Sequence, residues 1–98
     1  MTFTLTGRLI CRDAAEAETV RGALPEHVRL TRAEPGCITF DVTPDASDPL
    51  VFLVSEAFED RAAFDAHQMR THASEWYRLT CGIRRAYHTS ETDTGTGT

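Results

Sequence analysis

Two histidines and one glutamate are the residues of this chain whose types and settings could do chemistry. His67 follows Phe64 by three positions in A-A-F-D-A-H-Q-M-R-T-H. On a helix it shares nearly the stripe of a core phenylalanine and projects toward whatever that helix covers. A neutral imidazole beside an apolar cavity can take or give a proton near neutral pH; the alternative is a histidine that bonds a neighbour and supports the helix end. Glu56 is the carboxylate in the apolar run V-F-L-V-S-E-A-F. Buried without a partner it would be costly, so it needs a histidine, an arginine or a wet pocket. His67 is the expected partner, with Arg8 and Arg84 next. A Glu56–His67 pair would fix the imidazole tautomer and raise its basicity, and an ion pair at an interface is the alternative. His72 lies five residues beyond His67, about 500° around a helix, so the two rings point about 140° apart. They cannot chelate one metal as an H-x-x-x-H pair does, and no metal site is expected. Trp76 and Tyr77, with Phe40 and Phe64, either wall a slot for a flat substrate or fill the core.

The elements that must position these residues follow from periodicity. Phe3, Leu5, Gly7, Leu9 and Cys11 alternate with Thr4, Thr6, Arg8 and Ile10, a period of two that marks a strand. Its apolar side should face helices, and its Thr/Arg side something polar or a partner sheet. Asp13 opens a helix through D-A-A-E, with Glu16 placed to reach back as in a capping box. Ala17, Val20, Leu24, Val28 and Thr31 recur at helical spacing, but Pro25 removes a backbone donor, which predicts a break near Gly22–Pro25 and a second segment to Ala33. Pro35-Gly36 is a stop. A second strand, 37–43, should place Ile38, Phe40 and Val42 on one side, and Pro44 to Pro49 reads as a polar loop. The third strand, 50–58, is apolar on both faces and is expected to be covered on both. A short helix from Arg61 to about Gln68 follows, then one from an N-cap at Thr71 to about Thr80, ended by Gly82. Residues 83–89 read as the last strand. From Ser90 onward no apolar residue remains, which predicts one domain over residues 1–90 and a disordered polar tail over 91–98. The order β-α-β-β-α-β is the ferredoxin-like pattern of an α+β fold, an antiparallel sheet with helices on one face.

Composition narrows the function classes. Ninety-eight residues make one domain with a modest core, which dimerisation would extend. The net charge is −5 and all ten basic residues are arginine. Arg84-Arg85 is the only adjacent basic pair, too little for a nucleic-acid-binding face. No apolar run is long enough to span a membrane, and the N-terminus lacks a signal-peptide pattern, so a cytoplasmic protein is expected. Cys11, Cys37 and Cys81 are odd in number and widely spaced, as reduced thiols acting as small buried hydrophobes would be.

Three local signatures carry a resemblance. They are A-E-P-G-C before the second strand, S-E-A-F-E-D at the end of the third, and A-F-D-A-H-Q-M-R-T-H after it. In this order, from about Phe3 to about Ala86, the chain resembles the antibiotic biosynthesis monooxygenase family. The resemblance implies a homodimer in which two sheets pack face to face as an α/β barrel. It also implies oxidation of an aromatic, quinol-like or polyketide-type molecule by molecular oxygen, without flavin, haem or metal. Such chemistry needs only a base, a dry cavity and hydrogen bonds to an anion, and the chain carries no cofactor motif. The implied roles are His67 as base, Glu56 as its orienting partner, and Trp76, Tyr77, His72, Phe40 and Phe64 around the substrate. A haem-degrading branch with the same fold uses an Asn, a Trp and a His where this chain aligns Gly7, His67 and Tyr77, so that activity is not expected. The rival reading is a non-catalytic dimeric small-molecule binding or accessory domain, and a third is an isomerase of a small polar metabolite.

Overall fold

In a computed structural model, described over residues 2–92, seven elements follow one another: β1 (Thr2–Ile10), α1 (Ala14–Arg32), β2 (Cys37–Asp45), β3 (Asp48–Phe58), α2 (Arg61–His72), α3 (Glu75–Thr80) and β4 (Arg84–Thr92). The four strands form one antiparallel sheet in the order β2-β3-β1-β4. The helices cover one face, as the ferredoxin-like pattern requires. The alternation in β1 sorts as expected. Phe3, Leu5, Leu9 and Cys11 are buried under the helices with Ala17 and Val20 of α1, Phe52, Val54 and Phe58 of β3, and Phe64, Trp76 and Ile83. Among the described residues no helix is long and apolar enough to cross a membrane.

Each helix begins on a side-chain cap. The Asp13 carboxylate accepts from the Glu16 N–H at 2.9 Å, while Glu16 reaches back to the Arg12 N–H at 2.7 Å, one residue before the box position. Asp60 and Ser74 cap α2 and α3 in the same way. The expected break in α1 does not occur: the helix runs unbroken through Pro25. Pro25 lies on the exposed side, where water can satisfy the carbonyl it leaves without a donor. Burial of Ala17, Val20, His27 and Thr31 holds the helix together across the missing bond.

Other boundaries shift for local reasons. The polar loop at 44–49 contracts to a two-residue turn at 46–47 because the Asp45 carboxylate accepts from both the N–H and the hydroxyl of Ser47, each at 2.8 Å. In β2 a register shift between Cys37 and Thr39 takes Ile38 out of the ladder and leaves it exposed, so it does not share a side with buried Phe40. α2 continues to His72, and the N-cap of α3 is Ser74, not Thr71. Leu53 and Ser55 are exposed, so one face of β3 is uncovered within the single chain. β4 continues to Thr92, pairing with Thr2. Glu91 and Thr92 are therefore strand and not tail, and residues 93–98 lie outside the described residues. Of the thiols, Cys11 is buried, Cys37 half-buried and Cys81 exposed, all free; Cys81 does not act as a buried hydrophobe.

The turn between α1 and β2 is the most constrained point of the backbone. Gly36 has φ +87°, its carbonyl accepts from the Glu59 N–H at 2.8 Å, and a Cβ there would sit 2.7 Å from that of Ala63. Gly36→Ala is expected to destabilise by about 2 kcal/mol, through left-handed strain and a collision with α2. Calorimetry should show a fall in Tm of about 10 °C. An unchanged Tm would mean that the turn relaxes at no cost.

Candidate active site

Between the helices and the sheet lies a cavity of about 280 Å³, with Phe40, Glu56, His67, Trp76 and Tyr77 in its wall. The fold brings them together by register. Phe40 pairs with Glu56 across β2 and β3, and Glu56 pairs with Leu5 of β1, so Phe40 and Glu56 share the helix-facing side. His67 descends from α2 onto the same spot, its ring 5.7 Å from that of Phe40 and 5.0 Å from that of Phe58. Arg32 donates to the Phe40 carbonyl at 2.9 and 3.1 Å, holding β2 under α1.

The partner of His67 differs from expectation. Its Nδ1 meets Glu34, at 2.9 Å from Oε1 and 3.2 Å from Oε2. Glu34 sits in the short stop after α1, where its own N–H donates to the Thr31 carbonyl. Arg70 of α2 clasps the same carboxylate and donates to the Thr31 hydroxyl at 3.0 Å. With Nδ1–H donated to Glu34, Nε2 carries the lone pair on the other edge of the ring, where the Thr71 hydroxyl can donate to it. Around it stand Glu56 Oε1 at 3.8 Å, too far for a hydrogen bond, and the Thr71 hydroxyl at 3.4 Å. Burial lowers the His67 pKa, Glu34 acts against that shift, and Arg70 adds to it. The ring is therefore a neutral, oriented imidazole.

Glu56 stands beside His67 as expected, but at 3.8 Å and without a hydrogen bond. It is 7% exposed, and its Oε1 has no hydrogen-bond partner. Arg8 and Arg84 cannot serve. Arg8 pairs with Leu53 and Arg84 with Ile10, which places both on the opposite side of the sheet from Glu56. The nearer Arg85 is committed to the end of α3, donating to the Thr80 carbonyl at 2.7 Å and hydroxyl at 2.9 Å. Desolvation, with Glu34 adding repulsion, pushes the Glu56 carboxyl up to about 7, so near neutral pH much of it carries its proton.

The remaining expected residues divide. Trp76 lines the cavity, stacked on His27 with centroids 4.6 Å apart and planes 2° from parallel. Tyr77 and His72 line it further out, ring edge to ring face at 4.5 Å. His72 closes α2 and does not open the next helix. Phe64 is not in the cavity wall: its ring packs on Phe3 at 4.5 Å and Phe58 at 5.7 Å, as core. His27 was not anticipated. It is 4% exposed, its Nδ1 has no partner, and burial beside His67, Arg70 and Arg85 lowers its pKa to about 3. The helical stripe of Val20, Leu24 and Thr31 passes through His27 and could have revealed it. Among the described residues no cluster of three or more His, Cys, Asp or Glu could hold a metal ion.

The family profile described as antibiotic biosynthesis monooxygenase matches residues 11–79, from the end of β1 into α3. The chain belongs to the antibiotic biosynthesis monooxygenase family. Solved structures agree on the fold of this family member. A crystal structure of an antibiotic biosynthesis monooxygenase is 26% identical, covering 97% of this chain and 99% of that one, with a TM-score of 0.75. A candidate antibiotic biosynthesis monooxygenase from Nitrosomonas europaea is 21% identical over 98% and 94% of the two chains, with a TM-score of 0.82. The protein PA3566 from Pseudomonas aeruginosa is 24% identical over 95% of each, with a TM-score of 0.80. No match was found among curated proteins.

Proposed function

We propose that this family member is a cofactor-independent monooxygenase that oxidises an aromatic, quinol-like or polyketide-type molecule with molecular oxygen. The observation that carries the reading is His67 in the cavity wall, with Nδ1 tied to Glu34 at 2.9 Å and Nε2 as the acceptor nitrogen beside the Thr71 hydroxyl at 3.4 Å. An imidazole oriented in this way is suited to take a proton from a phenol or an activated ring CH₂. The resulting anion is electron-rich enough to reduce oxygen itself. For an anthrone-type CH₂ the balance closes without an external reductant. The carbon loses two hydrogens and gains one oxygen atom as C=O, and the second oxygen atom leaves as water. The substrate supplies all four electrons, and His67 would carry the proton it has taken to the departing oxygen.

The exposed sheet face around Thr6, Arg8, Leu53 and Ser55 supports a homodimer closed by a second copy. Light scattering should then give twice the 10.9 kDa chain mass, and a monomer would remove the barrel from the reading. The activity is tested by oxygen uptake with chelator-treated protein and a panel of hydroquinones and anthrones, using labelled oxygen. One labelled atom in the product, at a rate above the protein-free blank, is expected. Uptake equal to the blank across the panel would leave the non-catalytic binding domain as the better account.

A further inference from the structure

Arg70 is paired differently from the arginines on the helix surfaces. Arg21, Arg29 and Arg78 bridge exposed glutamates three positions away on their own helices, contacts worth little in water. Arg70 reaches a carboxylate 36 positions away, and the side chain of that Glu34 is only 13% exposed. A second bond, to the hydroxyl of fully buried Thr31, holds the guanidinium in place. Glu34 is thus divided between two partners: Oε1 lies nearest Nδ1 of His67, and Oε2 takes the bond from Nε of Arg70. A carboxylate so enclosed needs a positive neighbour. The guanidinium and the imidazole are the two groups in contact that can supply the charge. Arginine is always charged, so Arg70 fills that need and the imidazole is left neutral. Without Arg70 the group still in contact is His67, and a carboxylate 2.9 Å from Nδ1 favours the imidazolium. An imidazolium has no lone pair on Nε2 and can take no proton.

We propose that Arg70 is a positioning residue for the base: by neutralising Glu34 it keeps His67 an uncharged imidazole whose Nδ1 donates and whose Nε2 accepts. This role deepens the monooxygenase reading and rests on it only for His67 being the base. The other groups around the ring do not perform it. From β3, Glu56 Oε1 stands 3.8 Å from Nε2, and whenever it ionises it favours the imidazolium as Glu34 does. From α1, the His27 ring lies 6.1 Å away and carries no charge near neutral pH. The Thr71 hydroxyl at 3.4 Å and the rings of Phe40 and Phe58 are uncharged. Of all these groups Arg70 alone carries a permanent positive charge. The directions agree with the geometry: burial lowers the His67 pKa, Glu34 raises it and Arg70 lowers it again.

Nitrogen NMR on isotope-labelled protein reads the tautomer and the titration of His67 without any substrate, its signals being those lost in His67→Ala. The native ring is expected to be neutral at pH 7 with the proton on Nδ1. Arg70→Met should raise the His67 pKa by about one unit or more, the scale on which a neighbouring charge acts. Arg70→Gln removes the same charge and should give the same shift, so the result does not hang on one variant folding. Arg70→Lys keeps the charge without the two-pronged grip and should return most of the native value. Arg70→Met combined with Glu34→Gln leaves no charge to pair, so the pKa should fall back below the ordinary histidine value, as burial alone dictates. A mere tether predicts the reverse. Loss of Arg70 would release Glu34 from the ring, the His67 pKa would stay or fall, and lysine would do no better than methionine. That pattern, or an imidazolium already present in the native protein at pH 7, would overturn the proposal. In turnover, Arg70→Met should move the acid limb of the kcat profile upward by the same shift. The NMR shift without oxygen uptake in any variant would fail the monooxygenase reading alone, and uptake with an unmoved His67 pKa would fail the role of Arg70 alone.

Discussion

His67→Ala should lower oxygen uptake about 100-fold or more, the scale on which a positioned general base contributes. Glu34→Gln should recover only part of the native rate although His67 remains. The carboxylate 2.9 Å from Nδ1 decides which nitrogen carries the proton and aims the other at the cavity. An amide in its place can present its NH₂ group to the ring as readily as its oxygen, which favours the wrong tautomer. Glu34 acts through His67 and is a positioning residue, so its loss should appear in kcat with little change in KM. Its double variant with His67→Ala should be no slower than His67→Ala alone, because residues acting as one unit are not additive. An additive loss would separate the two and give Glu34 a task of its own. Unchanged uptake in His67→Ala would keep a monooxygenase in the cavity and move its base elsewhere, with Glu56 the nearest alternative.

Glu34 also shows where sequence reading reaches its limit. The A-E-P-G-C segment was visible as a signature, and the helix stop in it was visible as Pro-Gly. What the stop does was not. It halts α1 so that a carboxylate 33 positions before His67 lands against the ring, and no periodicity encodes contact between a turn and a helix. Glu56 was legible as a problem, a carboxylate in an apolar strand, because alternation reveals which side of the sheet a residue takes. Its solution was not legible, since the same alternation that buried it turned Arg8 and Arg84 away. Periodicity placed β1, the helical stripes and the order of strands correctly. It failed where one local interaction outweighed it: the Asp45–Ser47 turn that shortened the loop, the bulge at Ile38, and the tertiary burial that carried α1 through Pro25. His27 was hidden by its type. A histidine reads as polar, although its place on the stripe of Val20, Leu24 and Thr31 marks the buried side; the stack on Trp76 that encloses it is a contact between helices that no periodicity encodes.

The buried acid and the buried histidine should also write opposite signatures into the pH dependence of stability. Glu56 has its folded pKa raised, to about 7, above the ordinary carboxylate value. Below that ordinary value, folded and unfolded chains both hold the proton and Glu56 costs nothing. As pH rises toward 7 the unfolded chain loses the proton first and stability falls. Above 7 the full penalty is present, on the order of 3 kcal/mol at 1.36 kcal/mol per pK unit. His27 runs the other way. Its folded pKa, about 3, lies below its unfolded value, so its contribution is complete above that unfolded value and is lost as pH falls toward 3. His67, lowered in the same direction, adds to the acid side. Where the two windows overlap the slopes of Glu56 and His27 oppose each other and His67 tips the balance, so stability should rise with pH on the acid side and decline as pH climbs from about 6.5 through 7. Glu56→Gln removes only the alkaline decline. Denaturant titrations should find the variant more stable than the native protein by roughly 2–3 kcal/mol at pH 8 and equal to it near pH 4. If the gap at pH 8 were absent, Glu56 would be ionised and solvated in the fold at no cost. A gap of the same size at both pH values would trace to amide packing and not to the proton.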